Sequence, residues 1–590
     1  MSDSIDAVLL DYYQRELTWL RHAGADFAAR YPKIAHRLEL SEYECPDPHI
    51  ERLLESFAFL NARLQRQLDD DFSQLSSALL EELYPYALRP MPSTAIACFQ
   101  SDAPQGASGL EIKRGTSLFV NHKRSEQETD SIYFRTTAPL TIWPLQIVEA
   151  LLLDAEESQK ITGLAYAQSA LKICLHCSAK EGWAAIDPQK VTVHLAGSAV
   201  NSATLYDLLA AHSLAVFTRS AQQIQRIHGL PEAQGFTEQE ALLPNESHAS
   251  HGLLLEYFSC PAKFAFFDLP LRTPDDAMQD LELIIAFSDK PANRLSLQAS
   301  DLALGCVPVI NLFPRSSEPL RPNGKSREYR VIADSHREHA TEIYAIGQVR
   351  ASKSHGAQIV PRYFGLNHGN ASCYWHARRV EGLGQRRGSD MLLTWVNADF
   401  QTDDPPAPTL TAELLCTNRF LAESLAASTE LAFEKPGTVA KVRLMAPPTP
   451  QIAYASKAQW RLVSQLSLNH LSLCEGPQAL DALREMLSLY NLGNSTATRQ
   501  QIAGIMQISA KRTVDQVGTE AWRGWRNGLE VRLELDPNQF AGSSRVLFAG
   551  VLAQFFSQYA SVNRFIRTVL VEKDREVKTW QPLVGDPLIL

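Results

Sequence analysis

The sequence predicts a multi-domain α+β protein, because the spacing of apolar residues changes twice along the chain. Residues 1–92 carry apolar side chains every three or four positions, the period of amphipathic helices. Short runs with period two follow, and helical and strand-like segments alternate in the last part. We therefore expect N-terminal helical hairpins (1–92), two central β-rich, sandwich- or barrel-like domains (93–270 and 271–450), and a C-terminal mixed α/β domain (451–590).

The first helix is predicted from Leu10 to Tyr31, where apolar residues alternate in steps of three and four and Pro32 ends the pattern. This alternation is typical of a coiled-coil seam. The seam contains Leu10, Tyr13, Leu17, Leu20, Gly24, Phe27 and Tyr31.

A second helix is predicted from Pro48, with Asp47 as its N-cap and apolar residues continuing to Leu68. A third, shorter helix is expected over 72–83, and the prolines at 85, 90 and 92 end the helical region. The apolar faces of these helices either close on each other and on the β domains or are completed by partner helices. The residues alone leave both interpretations open.

Period-two runs and proline-rich breaks divide the rest of the chain. Strands are predicted at 95–99, 171–175, 191–195, 281–287, 342–349, 391–396, 529–535 and 565–572. Helices are predicted at 460–473, 478–490 and 545–559. The proline-rich stretches 402–408 and 446–450 are poor strand formers, and the second one places a boundary near 450.

Length and charge limit the classes of function. A chain of 590 residues suggests about three to five packed units. The net charge of −10 disfavours nucleic acid and anionic lipid as partners. No run of 18 uncharged apolar residues and no secretory leader is present, so we expect a cytoplasmic protein without direct membrane insertion. The nine cysteines are scattered along the chain, and we expect them to be reduced thiols.

No local motif predicts catalysis, a cofactor or a metal. Cys174 and Cys177 have C-x-x-C spacing, but there is no second pair, and residues three apart on a strand point to opposite faces. His336 and His339 lie in a charged segment that suits a solvated surface. The acidic run 69–71 suits a solvated helix face. A non-enzymatic protein is therefore expected.

Several segments resemble one family in order along the chain. They include Tyr12-Tyr13-x-Arg15-Glu16-Leu17, Asp47-Pro48-His49-Ile50-Glu51-Arg52-Leu53-Leu54, Arg89-Pro90-x-Pro92-Ser93, Gly305-Cys306-x-Pro308-Val309-Ile310-Asn311-Leu312-Phe313 and Cys416-Thr417-Asn418-Arg419. Together they resemble the TssF family of the bacterial type VI secretion system. One departure is Pro361-Arg362-Tyr363-Phe364, where the family suggests a Pro-Phe-Tyr run.

The resemblance implies a structural subunit of the baseplate wedge that supports assembly of the contractile sheath and tube and delivery of effectors. It implies two copies of this chain per TssG, with TssK, TssE, the spike hub VgrG and a second copy of this chain as partners, in a baseplate docked at the inner membrane through other components. It favours Tyr13, Leu17, Leu20 and Phe27 as partner-facing residues. The alternatives are a carbohydrate-processing enzyme and a free-standing β-sandwich binding module.

The C-terminal segment is predicted to be a separate docking domain that joins TssG and a second copy of this chain. The apolar run 548–559 suits a helix buried inside that domain, so the binding surface is expected on neighbouring loops and strand edges. The candidates there are Asn563, Arg564 and Arg567. A fragment that ends near 450 is expected to stay soluble.

Overall fold

In the computed structural model, two long helices precede a strand-rich body. The residues described are 2–31, 33, 48–83, 85–100, 109–123, 129–179, 181–186, 188–220, 223–244, 249–274, 278–291, 295–323, 326–353, 356–363, 373–382, 387–397, 409–434, 441–453, 479–517, 524–558, 560, 564–573 and 575–584. The helices are α1 (Ser2–Arg30), α2 (Pro48–Leu83), α3 (Ala155–Thr162), α4 (Ala199–Ala211), α5 (Ala249–Ser259), α6 (Ala479–Ser488), α7 (Thr496–Ala503) and α8 (Arg545–Ser557).

The strands span the body from residue 94 to residue 584. The first half contains β1 (Thr94–Gln100), β2 (Leu110–Ile112), β3 (Ser117–Lys123), β4 (Thr129–Thr136), β5 (Leu140–Ile142), β6 (Leu145–Leu153), β7 (Ser169–Cys177), β8 (Lys190–Leu195), β9 (Ser213–Arg219), β10 (Ile224–Ile227), β11 (Glu232–Ala233), β12 (Phe266–Pro270), β13 (Asp280–Phe287), β14 (Leu302–Leu304) and β15 (Cys306–Ile310). The second half contains β16 (Phe313–Ser316), β17 (Tyr329–Val331), β18 (Glu342–Lys353), β19 (Gly356–Val360), β20 (Cys373–Glu381), β21 (Ser389–Asn397), β22 (Thr409–Thr417), β23 (Glu430–Phe433), β24 (Lys441–Leu444), β25 (Ile505–Val517), β26 (Gly524–Leu535), β27 (Phe565–Glu572), β28 (Arg575–Thr579) and β29 (Leu583–Val584).

The helical part confirms the predicted first helix and corrects the next two. α1 ends at Arg30, before the proline that the pattern uses as its stop. The second and third predicted helices are one continuous helix, α2, so the prediction of a break before residue 72 is wrong. Its acidic run contains neither proline nor glycine, the residues that most readily interrupt the backbone hydrogen bonds of a helix. The predicted N-cap at Asp47 lies outside the described residues.

A small closed barrel forms the first strand-rich unit, with the strand order β1-β15-β4-β3-β23-β24. β1 pairs antiparallel with β15 and with β24, which lie more than two hundred and three hundred residues further along the chain. Phe99, Leu118, Phe134, Val309 and Val442 fill its interior. The barrel wall therefore joins both ends of the predicted β-rich region.

Two further groups of sheets surround the barrel. The sheet β16-β22-β18-β19 and the sheet β17-β21-β20 share one apolar core, which includes Trp375 and Trp395. The sheets β10-β9-β13-β7-β6 and β11-β12-β8-β14 contribute to a larger core. The α+β, multi-domain prediction is confirmed, and so are the strands predicted at 95–99, 171–175, 191–195, 281–287, 342–349 and 391–396.

The C-terminal part is a mixed sheet, β25-β26-β27-β28, with β27 parallel to β26. Its predicted helix 545–559 and strands 529–535 and 565–572 are confirmed as α8, β26 and β27. The helix predicted over 460–473 lies outside the described residues.

The largest apolar core crosses the boundary predicted near 450. It contains Leu205 and Tyr257 from the first half together with Phe548 and Phe556 of α8, and α8 packs against both α4 and α5. The barrel likewise crosses the boundary predicted near 270. The predicted segments are therefore stretches of sequence that share cores, because apolar faces far apart in the chain meet in the fold.

Buried polar contacts join the C-terminal part to α4. The carboxylate of Asp207 accepts hydrogen bonds from Ser544 Oγ and from Val546 N at 3.3 Å, at the N-terminus of α8. Burial raises the pKa of Asp207 to about 6. Lys578 Nζ donates to Ala210 O at 2.6 Å, and burial lowers the pKa of Lys578 to about 8. These contacts fix α8 and β28 on the body.

Candidate assembly surface

α1 and α2 form an antiparallel hairpin that packs through small side chains. Ala58 and Ala62 of α2 are fully buried, and α1 is the helix that packs along α2. Arg21 of α1 forms an ion pair with Glu51 of α2. Burial is the main cause that raises the pKa of Tyr13, and the charge of Glu55 is the second. Small residues at the contact let the two helix axes approach closely, so this face of α2 is satisfied within the chain.

The large apolar residues of α2 lie on a different face and remain exposed. Leu53, Phe57, Leu60 and Leu64 have relative exposures of 70%, 52%, 54% and 60%. Their spacing of four, three and four residues places them in one line on the helix. At about 100° per residue, this line is roughly 100–180° around the helix from Ala58 and Ala62. We call these four residues the α2 seam.

The residues predicted on α1 divide into two groups. Tyr13, Leu17 and Leu20 are half-buried, whereas Phe27 is exposed, and its ring centroid lies 5.2 Å from that of Tyr31. Trp19 is also exposed, at 63%. The sequence predicted an apolar repeat on both helices that partner helices could complete, but the N-terminal interface residues named from it were those of α1 and not those of the α2 seam.

The C-terminal end of α2 anchors the hairpin to the body. Leu80 is buried, and Glu81 forms an ion pair with Arg362 at 3.1 Å. Just beyond the helix, Tyr86 Oη donates to Pro244 O at 2.7 Å, and the Arg89 guanidinium lies over the Tyr344 ring. Arg362 is the residue where the sequence departs from the family pattern, and here it fixes the base of the hairpin.

The predicted C-terminal candidates lie in different environments. Arg564 is exposed. Arg567 is half-buried in β27, where its guanidinium contacts Asp515 at 2.9 Å and Glu530 at 2.5 Å, so its charge is engaged within the sheet. Asn563 lies outside the described residues.

A two-stranded arm extends next to these residues. The pairing of β26 with β27 begins at Gly528, so the part of β26 from Gly524 to Asn527 pairs with β25 and not with β27. Trp525 is 71% exposed on this arm, and Val514 is exposed on the same face of the ribbon. Sequence reasoning missed this arm, because a strand pattern does not show where a third strand ends.

The cysteines of the C-x-x-C pair and His339, which sequence reasoning considered for chemistry, lie among the described residues. Cys177 is buried, and burial raises the pKa of Cys174 to about 11. His339 contacts Asp130 at 3.1 Å. In the part of the chain that the structure covers, no group of three or more His, Cys, Asp or Glu side chains is placed to hold a metal ion. None of the described helices has the length and apolar character required to cross a bilayer.

Comparison with known proteins relates this architecture to one family. The family model described as "Type VI secretion system, TssF" matches residues 5–587. The type VI secretion system component TssF1 of Pseudomonas aeruginosa is 33% identical over 616 residues, covering 98% of each chain.

Two solved structures are also similar. One is a chain of the type VI secretion system TssK–TssF–TssG baseplate subcomplex, with a TM-score of 0.72, 26% identity, and coverage of 92% of this chain and all of that one. The other is a chain of the baseplate complex from the type VI secretion system, with a TM-score of 0.62, 25% identity, and coverage of 98% and 100%. The present chain belongs to the TssF family of type VI secretion system components.

Proposed function

We propose that this chain is a structural subunit of the type VI secretion baseplate wedge and that the α2 seam binds helices of a partner subunit. The observation that carries the proposal is the line of four large apolar residues on a helix whose other face is already packed against α1. An exposed seam with this spacing is completed by a further helix in helical bundles. Tyr13, Leu17, Leu20 and Phe27 lie on the other helix of the hairpin and complete the proposed interface.

The solved structures that resemble this chain support TssG and TssK as its partners, since one of them is a TssK–TssF–TssG subcomplex. We extend the proposal to TssE, VgrG and a second copy of this chain, with two copies per TssG. The exposed arm around Trp525, with Arg564 beside it, is the C-terminal surface that we assign to these contacts. The assembly would be cytoplasmic and docked at the inner membrane through other components.

The proposed role is non-enzymatic. Two buried acidic groups among the described residues are engaged in structural pairs: Glu256 pairs with Lys263, and Asp268 pairs with Lys190 at 2.5 Å. A glycan-processing enzyme needs two carboxyl groups that face one cleft. The baseplate origin of the similar structures favours the wedge over this enzyme and over a free-standing β-sandwich module.

The test is the variant Phe57→Asp, co-expressed with the TssG and TssK proteins of the same system. A buried, unpaired carboxylate costs several kcal/mol, so we expect complex formation to weaken by about 100-fold or more. Ser56→Asp is the matched control, because Ser56 is exposed on the same helix outside the α2 seam. The proposal is wrong if Phe57→Asp assembles normally, as measured by intact-complex mass and co-purification.

A further inference from the structure

Two cysteines lie directly opposite each other in the barrel wall. Cys98 of β1 pairs in register with Cys306 of β15, although 208 residues separate them in sequence. Both residues are buried members of one small apolar cluster. Both sulfur atoms also lie close to Leu304 O, at 3.7 Å for Cys98 and 3.6 Å for Cys306. The fold therefore brings two thiols into contact.

The backbone hydrogen bonds between β1 and β15 show whether Cys98 and Cys306 form a hydrogen-bonded or a non-hydrogen-bonded pair. Phe99 N donates to Gly305 O, and Asn311 N donates to Ser93 O, each at 2.8 Å. Hydrogen-bonded pairs alternate with non-hydrogen-bonded pairs in an antiparallel ladder, so Cys98 and Cys306 occupy a non-hydrogen-bonded pair. The Cα atoms of such a pair are about 4.5 Å apart, within the range of about 4.4–6.8 Å that a disulfide spans. The spacing expected for this type of pair is therefore compatible with a disulfide.

The surroundings keep the two sulfur atoms together. Cys98 and Cys306 pack with Ile96 and Phe266 in a small apolar cluster. Arg443 of β24 is the register partner of Cys98 on its other side. The hydrogen bond from Cys306, together with the charge of Arg443, lowers the pKa of Cys98 to about 7, whereas the pKa of Cys306 is raised. Because the cationic Arg443 is the register partner of Cys98 and favours its thiolate form, we assign Cys98 as the attacking thiol.

We propose that Cys98 and Cys306 are a modification site, at which the folded protein forms an intramolecular disulfide on exposure to hydrogen peroxide. The bond would join β1 to β15 and so fix two neighbouring strands of the closed barrel. Both thiols are almost fully buried, so the oxidant has to be of about the size of water, as a peroxide is.

The chemistry takes two steps. The thiolate of Cys98 attacks one oxygen of the peroxide, the O–O bond breaks, and hydroxide leaves, which oxidises Cys98 to a sulfenic acid. The sulfur of Cys306 then attacks the sulfur of Cys98, the S–O bond breaks, and the leaving hydroxide takes the thiol proton as water. One peroxide is reduced to water, and the two thiols supply both electrons.

The experiment treats the reduced, folded, full-length chain with hydrogen peroxide, blocks remaining thiols by alkylation, and maps peptides without reduction. We expect a linked peptide that contains Cys98 and Cys306, the loss of two titratable thiols of nine, and reversal by dithiothreitol. Failure to find this linked peptide, at a peroxide dose that fully oxidises glutathione, overturns the proposal. A linked peptide that forms only after unfolding in urea overturns it too.

Variants separate this pair from other thiols. Cys306→Ala and Cys98→Ala should each abolish the linked peptide after the same peroxide treatment, and no other pair of cysteines should become linked in its place. Cys174→Ala with Cys177→Ala is the control: these residues lie three apart on β7, on opposite faces, and their removal should leave the Cys98–Cys306 link unchanged. Should Cys306→Ala fail to fold, the wild-type peptide map decides by itself.

Discussion

The helices α2 and α8 are both rich in apolar residues, but the protein encloses one and leaves the other open. In α8, ten residues between Val546 and Phe556 are buried, because α4, α5 and β27 pack around the helix. In α2, the contact with α1 uses the small Ala58 and Ala62, and the α2 seam remains exposed. An apolar helix is thus a core element only where the chain itself supplies all of its neighbours. The α2 seam is the surface to which we assign a partner helix.

The largest expected effect comes from removing the neighbours of the enclosed region. A chain truncated after residue 450 loses α8, and with it the cover over Leu205, Tyr206 and Tyr257. We expect this fragment to aggregate or to melt without cooperativity, in contrast to the soluble fragment expected from sequence. Thermal circular dichroism and dye binding to exposed apolar surface measure this. A soluble monomer with a sharp transition would show that the first 450 residues fold independently.

A pair of single substitutions compares the two helices directly. Phe555→Ala opens a cavity in the core and should lower the free energy of unfolding by about 3–5 kcal/mol. Phe57→Ala removes a half-exposed ring and should change that free energy by only about 0.5 kcal/mol in the isolated subunit. Urea denaturation of each variant provides the measurement. Equal losses in the two variants would mean that the α2 seam is internal core in solution.

The sequence predicted the local elements of these regions better than their neighbours. The three-and-four spacing identified α1, most of α2 and α8, because the period of a helix is a local property. It did not reveal which apolar face stays open, since Phe57 and Phe555 occur in similar patterns. The pairing of β1 with β15 and β24 was equally invisible, because closure of a barrel depends on strands hundreds of residues apart.

Individual residues of the candidate assembly surface show the same limit of prediction from local sequence. Arg567 was named as a candidate from sequence, but Glu530 of the adjacent strand β26 and Asp515 of β25, the next strand, engage its charge. Trp525 carried no signal in the sequence, because its exposure depends on β27 beginning at Phe565. Local pattern therefore gives the elements, and the contacts between distant segments decide which surfaces are available to a partner.

A smaller, pH-dependent effect should arise where α8 meets α4. Because the pKa of Asp207 is raised from 3.8 to about 6, ionising this group costs stability in the folded chain. The stability that the folded chain has while Asp207 is protonated is fully present below pH 3.8. It is lost as the pH rises through 6. Asp207→Asn retains an acceptor for Ser544 and Val546 but has no charge to ionise. Its free energy of unfolding relative to that of wild type should therefore rise by on the order of 3 kcal/mol from pH 4 to pH 7.5. Urea unfolding of both proteins at the two pH values tests this, and a difference that does not vary with pH would contradict it.

The smallest expected effect concerns the ion pair between the two helices of the open hairpin. Arg21 and Glu51 are partly exposed, so water and salt screen their attraction, and Arg21→Gln should lower the free energy of unfolding by less than about 1 kcal/mol. The loss should shrink further in 1 M salt, where the screening length is about 3 Å. A double-mutant cycle with Glu51→Gln isolates the pair, and Lys160→Gln with Glu156→Gln on α3 is a matched exposed control. A coupling energy several times that of the control pair would mean that Arg21 and Glu51 are shielded from water in solution. The hairpin would then be held in register by this pair as well as by Ala58 and Ala62, and its open face would be a more rigid surface for a partner helix.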